Sequence, residues 1–158
     1  MMLRALRRND APVLSALQRQ VLVPPWSPQA FADMLDQPCY QGWALQALSS
    51  TGQDESVHAE NVYAMALVRT VQQEAELTWI QVAQNKRGQG QGSRLLTHVL
   101  TALTAQGVRD VHLEVAQTNT PALRLYDRCG FQITGRRPGY YRHSHGREDA
   151  LTLTKTSA

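Results

Sequence analysis

A chain of 158 residues is the size of one ordinary domain and leaves no room for a TIM barrel or a two-domain dehydrogenase. With 42% hydrophobic and 18% charged residues it can build a sizeable core, which excludes wholesale disorder. Sixteen basic against 13 acidic side chains give +3, mildly basic and below what a dedicated nucleic-acid binder usually carries.

Leu3 to Arg7 alternates as a short strand. Asp10 is positioned to cap a helix with Pro12 in its first turn and Val13, Leu14 and Leu17 behind it; Val23-Pro24-Pro25 stops that helix. Ser27-Pro28 starts another, carrying Phe31, Met34 and Leu35 at i, i+3, i+4. Trp43, Leu45 and Ala47 alternate as a strand, and the polar stretch Ser49 to Asn61 reads as a loop. Val62 to Val68 is apolar almost throughout, the pattern of a strand covered on both faces. A turn at Gln72-Gln73 leads to a strand from Ala75 to Ala83, then to the basic, glycine-rich NKRGQGQGS. Leu95, Leu96, Val99, Leu100 and Leu103 trace a helical stripe that ends at Gly107, and Val111, Leu113 and Val115 alternate as a strand. Thr120-Pro121 opens a last helix, with Leu125, Tyr126 and Cys129 inside and Gly130 at its C′ position. Phe131-Gln132-Ile133 and Asp149 to Thr154 read as two final strands joined by a loop rich in Arg, His and Tyr. The expected order is β-α-α-β-β-β-α-β-α-β-β, an α/β arrangement of one domain over residues 1–158.

Cys39 and Cys129 are far apart, lie in no CxxC pattern and require no disulfide. His143 and His145 have no paired cysteines nearby, so no metal site is expected. The N-terminal segment lacks the apolar core of a signal peptide, and no run approaches about 18 apolar residues. The expectation is a cytoplasmic protein with no membrane or nucleic-acid partner.

The glycine-rich segment sits between a strand and a helix. Glycines there let the backbone approach a ligand and expose amide N–H groups at a helix N-terminus, an arrangement suited to phosphate. Lys86, Arg87 and Arg94 add positive charge, with no acid between Glu76 and Asp110. No Gly-Lys-Ser/Thr follows, so this is not a Walker A loop, and the spacing is not GxGxxG. The alternatives are an anion site and a flexible turn.

Arg87-x-x-Gly90-x-Gly92 after the strand Leu77 to Val82 resembles the acetyl-CoA motif of the GNAT superfamily of N-acetyltransferases. Asn119-x-x-Ala122-x-x-x-Tyr126-x-x-x-Gly130-Phe131 resembles the second block of that superfamily, in the right order and on the right element. Pro25-Trp26-Ser27 with Phe31, Leu113-Glu114-Val115, and Tyr140-Tyr141 before Gly146-Arg147-Glu148-Asp149-Ala150 are similar to the bacterial RimI family, which acetylates the N-terminal alanine of a small-subunit ribosomal protein. Ala83-Gln84 departs from that pattern, standing where relatives often have Asp-Pro.

The resemblance implies a mixed, mostly antiparallel sheet flanked by helices, acetyl-CoA as co-substrate, and a protein or peptide N-terminus as acceptor. It places Ile80, Gln81 and Val82 beside the pantetheine arm, with the Val82 N–H polarising the acetyl carbonyl. It assigns the pyrophosphate to Gly88, Gln89, Gly90, Gln91, Gly92 and Ser93, with Arg87 at the entry, and a hydrogen bond from CoA to Asn119. It makes Glu114 the base and Tyr126 the acid that protonates the leaving thiolate. From the residues alone, Glu114 is either a site group or a rim charge, Tyr126 a core aromatic or an acid, and Asn119 a ligand or a helix start. Trp26, Tyr140 and Tyr141 either wall a peptide groove or pack the surface. The arginines 136, 137, 142 and 147 read as a solvated loop. An α-amine, with a pKa of about 7.7–8.0, is far easier to deprotonate near neutrality than lysine at about 10.4, so a modest base suffices. Other readings are a GNAT enzyme acting on lysine, a polyamine or an antibiotic, and a non-catalytic CoA-binding module.

Overall fold

Two apolar surfaces organise the chain, and both are faces of one sheet. A computed structural model describes residues 1–48 and 61–157. The elements are β1 (Met2–Ala5), α1 (Ala11–Gln18), α2 (Pro28–Asp36), β2 (Tyr40–Gln46), β3 (Val62–Val71), β4 (Glu74–Val82), α3 (Gln91–Ala105), β5 (Asp110–Ala116), α4 (Thr120–Arg128), β6 (Gln132–His143) and β7 (Gly146–Thr156), in the expected order. The seven strands pair as β1-β2-β3-β4-β5-β7-β6. All neighbours are antiparallel except β4 and β5.

The stripe of α3, with Leu95, Leu96, Val99 and Leu103 fully buried, packs with Tyr126 of α4 onto Ala66, Val68, Leu77, Leu113 and Leu153 of the sheet. On the opposite face, Leu14 and Leu17 of α1 and Phe31 of α2 cover Met65 and Leu67. Strand β3 is therefore sandwiched, and its run Ala64–Val68 is buried without alternation, as its composition implies. Beyond that cover, on the α1–α2 side, an open trough of about 410 Å³ lies over β5 and β7, lined among others by His112, Glu114, Thr152 and Arg137.

Ser27 caps α2 as expected, accepting the Ala30 N–H at 3.1 Å. Asp10 does not cap α1 with its side chain. Its carboxylate turns back to the Arg4 guanidinium at 2.7 and 2.9 Å and to the Arg7 N–H at 2.7 Å. Both side chains of the pair are nearly buried, and a buried carboxylate needs a cationic partner more than a helix needs a cap.

The Arg/His/Tyr-rich segment is not a loop. Strands β6 and β7 continue through it to a tight turn before Gly146. Most of β6 is exposed, so neither face of that strand carries an apolar row for a sequence pattern to detect. The ladder shifts register between Arg137 and Tyr141, where Gly139 adopts φ +61° and donates its N–H to Asp149 Oδ1 at 2.9 Å. The loop expected at Ser49–Asn61 lies outside the described residues except for Asn61.

Candidate active site

The parallel contact between β4 and β5 is confined to Glu74 with Asp110, Ala75 with Val111 and Glu76 with His112. Beyond it the strands separate. The cause lies on the other side of β4. There the β3 ladder skips Thr78, whose hydroxyl donates to Leu67 O at 3.0 Å. A bulge bends its strand, and this one sits just past the last β4–β5 pair, turning the end of β4 away.

The free edge carries backbone donors. Ala83 N–H donates to Tyr63 O at 2.6 Å, and Val82 is opposite Ala64. Bonded and non-bonded pairs alternate along an antiparallel ladder, so the N–H groups of Val82 and Ile80 point away from β3 into the gap. The side chain of Gln81 faces the other way, accepting Trp79 Nε1–H at 3.0 Å and donating to Leu17 O at 2.5 Å.

At the mouth of the gap stands the glycine-rich turn. Gly88 and Gly90 take φ +71° and +75°, with no atom within 4 Å of where a Cβ would lie. Gly90 is the N-cap of the 15-residue helix α3, so the helix's first N–H groups open beside it. Gly92 is where α3 meets α4, since a Cβ there would stand 3.4 Å from Leu125 Cδ2. Arg87 donates from Nε to Val82 O at 3.0 Å, tying the turn to the strand end. Gln91 Oε1 is buried with no hydrogen-bond partner. Open left-handed glycines, a helix N-terminus and a free strand edge form a cradle that fits an extended ligand with phosphates at one end.

Glu114 and Tyr126 lie on opposite faces of the sheet. In β5, Leu113 and Val115 join the core under α3 and α4, which puts Glu114 on the α1–α2 side. Tyr126 belongs to the α3–α4 core, its ring 5.7 Å from that of Phe131. Burial pushes its phenol pKa up to about 12, and Tyr141 adds to the rise. Burial also raises Tyr141, followed by the negative charge of Glu114. Tyr141 therefore lies within electrostatic reach of both groups. Asn119 is a helix start: its Oδ1 accepts the Ala122 N–H at 3.3 Å.

The other aromatic candidates separate. Trp26 is part of a cluster with Phe31 and Trp79, at 5.5 and 5.4 Å, with its backbone held by Gln18 and Ser15. Tyr140 and Tyr141 stack edge to face at 5.1 Å on β6. Trp26 makes no ring contact with either among the described residues. Arg137, read from the sequence as part of a solvated loop, ion-pairs through Nε with Glu114 Oε1 at 2.8 Å. Arg136 pairs with Asp149 at 3.1 Å. No local pattern announces the Glu114 partner, because β7 lies between β6 and β5 and the contact depends on sheet order.

A seven-stranded sheet opened between its parallel strands, with a glycine turn and a long helix at the opening, defines a class of acyl-transfer folds. Residues 13–131 match the acetyltransferase (GNAT) family, and the chain belongs to it. The chain is 31% identical over 153 residues to the [ribosomal protein bS18]-alanine N-acetyltransferase of Haemophilus ducreyi, covering 96% of this chain and 97% of that one. It is 30% identical over 149 residues to the protein of the same description from Escherichia coli K12, with 94% and 93% covered. The crystal structure of the ribosomal-protein-S18-alanine N-acetyltransferase from Escherichia coli superposes with a TM-score of 0.82 at 28% identity, covering 98% of this chain and 92% of that one.

Proposed function

We propose that this protein is an acetyl-CoA-dependent N-terminal acetyltransferase that modifies the α-amine of a protein, with the N-terminal alanine of a small-subunit ribosomal protein as its substrate. The observation that carries the reading is the free end of β4 beside the glycine turn, with Glu114 and Tyr126 on opposite faces of the sheet. A base on one face and an acid on the other suit direct transfer between two reactants held together. The relatives' description as [ribosomal protein bS18]-alanine N-acetyltransferases, and the coverage of 93% and 97% of their lengths, support the choice of substrate.

Acetyl-CoA, when bound, supplies the thioester whose acetyl group passes to the amine. Gly88, Gly90 and the first N–H groups of α3, with Gln89, Gln91 and Ser93 along the turn, hold its phosphates. The N–H groups of Ile80 and Val82 line the pantetheine path, and Val82 N–H donates to the acetyl oxygen as negative charge grows there. Glu114 takes the proton from the attacking amine. Tyr126 gives its phenol proton to the departing sulfur, and Tyr140 and Tyr141 wall the acceptor side. Trp26 buttresses the α1–α2 edge of that groove through Trp79.

Two peptides of one lysine-containing sequence beginning with Ala, one free and one blocked at its α-amine, test this with acetyl-CoA and mass spectrometry. The expected product is the free peptide acetylated at its terminus, with the blocked one untouched. Acetylation of both moves the assignment to a lysine acetyltransferase, and acetylation of neither moves it to small amines.

A further inference from the structure

The ion pair between Arg137 and Glu114 places a fixed cation on the carboxylate proposed to receive the amine's proton. We infer that Arg137 determines which amines this site accepts, holding Glu114 so that a neutral α-amine enters and a protonated lysine side chain is turned away. The inference rests on the N-terminal acetyltransferase reading and deepens it.

Arg137 reaches Glu114 across an intervening strand. It is opposite Ala150 of β7, which in turn is opposite Ala116 of β5, two residues from Glu114 on the same face. Strands two apart are about 9.5 Å apart, and the methyl group of Ala150 leaves the path between them clear for a guanidinium. The contact uses Nε and Oε1 at 2.8 Å, and Oε2 has no ion-pair partner among the described residues. One oxygen is thus held while the other remains to accept a proton. The guanidinium also lies over the Tyr140 ring at 5.5 Å, and Tyr140 stacks on Tyr141 at 5.1 Å, so the cation is braced from its far side. The register shift between Arg137 and Tyr141 delivers all three side chains to the same end of β5.

A carboxylate with no partner attracts any ammonium as a counter-ion. Glu114 already has its counter-ion, and a second cation entering beside Arg137 meets like charge. The amine must then arrive neutral. At pH 7 roughly one α-amine in ten is neutral, against about one lysine in 2,500. The arginine converts this difference in solution into a preference at the site.

The test is a competition at pH 7 between a lysine-free peptide with an open α-amine and a lysine-containing peptide with a blocked one, read by mass spectrometry as the ratio of kcat/KM. Arg137→Met is expected to shrink the wild-type preference for the α-amine by about tenfold or more, chiefly through a lower KM for the lysine peptide. Arg137→Lys, which restores the charge, is expected to recover most of the preference. Arg137→Gln repeats the neutral variant with a polar side chain, and at 58% exposure of the native side chain none of these changes empties a core position. A wild-type ratio in both neutral variants overturns the inference and leaves the N-terminal reading standing. A lysine variant that loses as much preference as the methionine one overturns it too. A wild-type enzyme that acetylates no α-amine overturns the reading and the inference together.

Discussion

Glu148 of β7 and Thr118 of the β5–α4 connection are joined twice. The carboxylate accepts the Thr118 N–H at 2.8 Å and the Thr118 hydroxyl through the same oxygen. Its other oxygen meets His143 Nε2 at 2.5 Å. The β6–β7 hairpin that carries Arg137 and Tyr141 is thereby fastened to the segment that leads into α4 and Tyr126.

The Thr118 hydroxyl, then His143, then the Thr118 N–H hold the Glu148 carboxyl below the usual carboxylate range. A lowered folded pKa contributes stability that is present above the unfolded value, near ~4.3, and is lost as pH falls through the folded one. Thermal midpoints measured from pH 7 to pH 3 should therefore fall more steeply below about pH 4.3 in the wild type than in Glu148→Gln. Parallel curves for the two proteins would remove Glu148 as a contributor to acid unfolding.

Glu114→Gln keeps the side-chain shape and removes the proposed proton acceptor. Turnover should drop by about a hundredfold or more, the usual contribution of a positioned base. Acetyl-CoA binding, followed by calorimetry, should change little because the cradle lies on the other side of the gap. Wild-type turnover at neutral pH would take Glu114 out of the base role.

Tyr126→Phe preserves the ring against Phe131 and removes the proposed acid, so kcat should fall about a hundredfold with the fold intact. A folded variant with wild-type kcat leaves Tyr126 a core residue. Alkaline titration gives a separate signature. The folded pKa near 12 is above the unfolded value near ~10, so the stability attached to this proton is complete below about pH 10 and lost as pH rises toward 12. The wild type should lose stability through that interval faster than the phenylalanine variant.

Gly90→Ala forces a side chain into the left-handed region at φ +75°, costing about 1 kcal/mol, although nothing within 4 Å blocks the methyl group itself. The methyl group projects into the space assigned to phosphate. The KM for acetyl-CoA should rise by about tenfold, well beyond what the loss of stability explains. An unchanged KM with a lowered thermal midpoint would mean that the turn serves the fold alone.

Asp10→Ala strands the Arg4 guanidinium, whose side chain is only 10% exposed. Removing one member of a nearly buried pair costs about 3–5 kcal/mol. That corresponds to a thermal midpoint lower by about 6–20 °C in a domain of this size. A shift of a degree or two would show that the Arg4 bond to Gln46 Oε1 is enough to hold the charge.

The order of all eleven elements is written locally: apolar spacing in α3, alternation in β5, Pro and Gly at helix starts and ends. So is the glycine turn, because the left-handed φ of Gly88 and Gly90 favours that residue wherever the chain folds. The alternation of β5 also assigns Glu114 to the face opposite the core. The separation of β4 from β5 is not local, since it depends on a bulge at Thr78 that exists only against β3. The turning of Asp10 toward Arg4 depends on a β1 side chain folding back over the start of α1. Arg137 meets Glu114 only because β7 inserts between β5 and β6 and shifts register at Gly139. Periodicity reports which face of an element is buried; which charged groups end up together is set by strand order and register, which are properties of the assembled sheet.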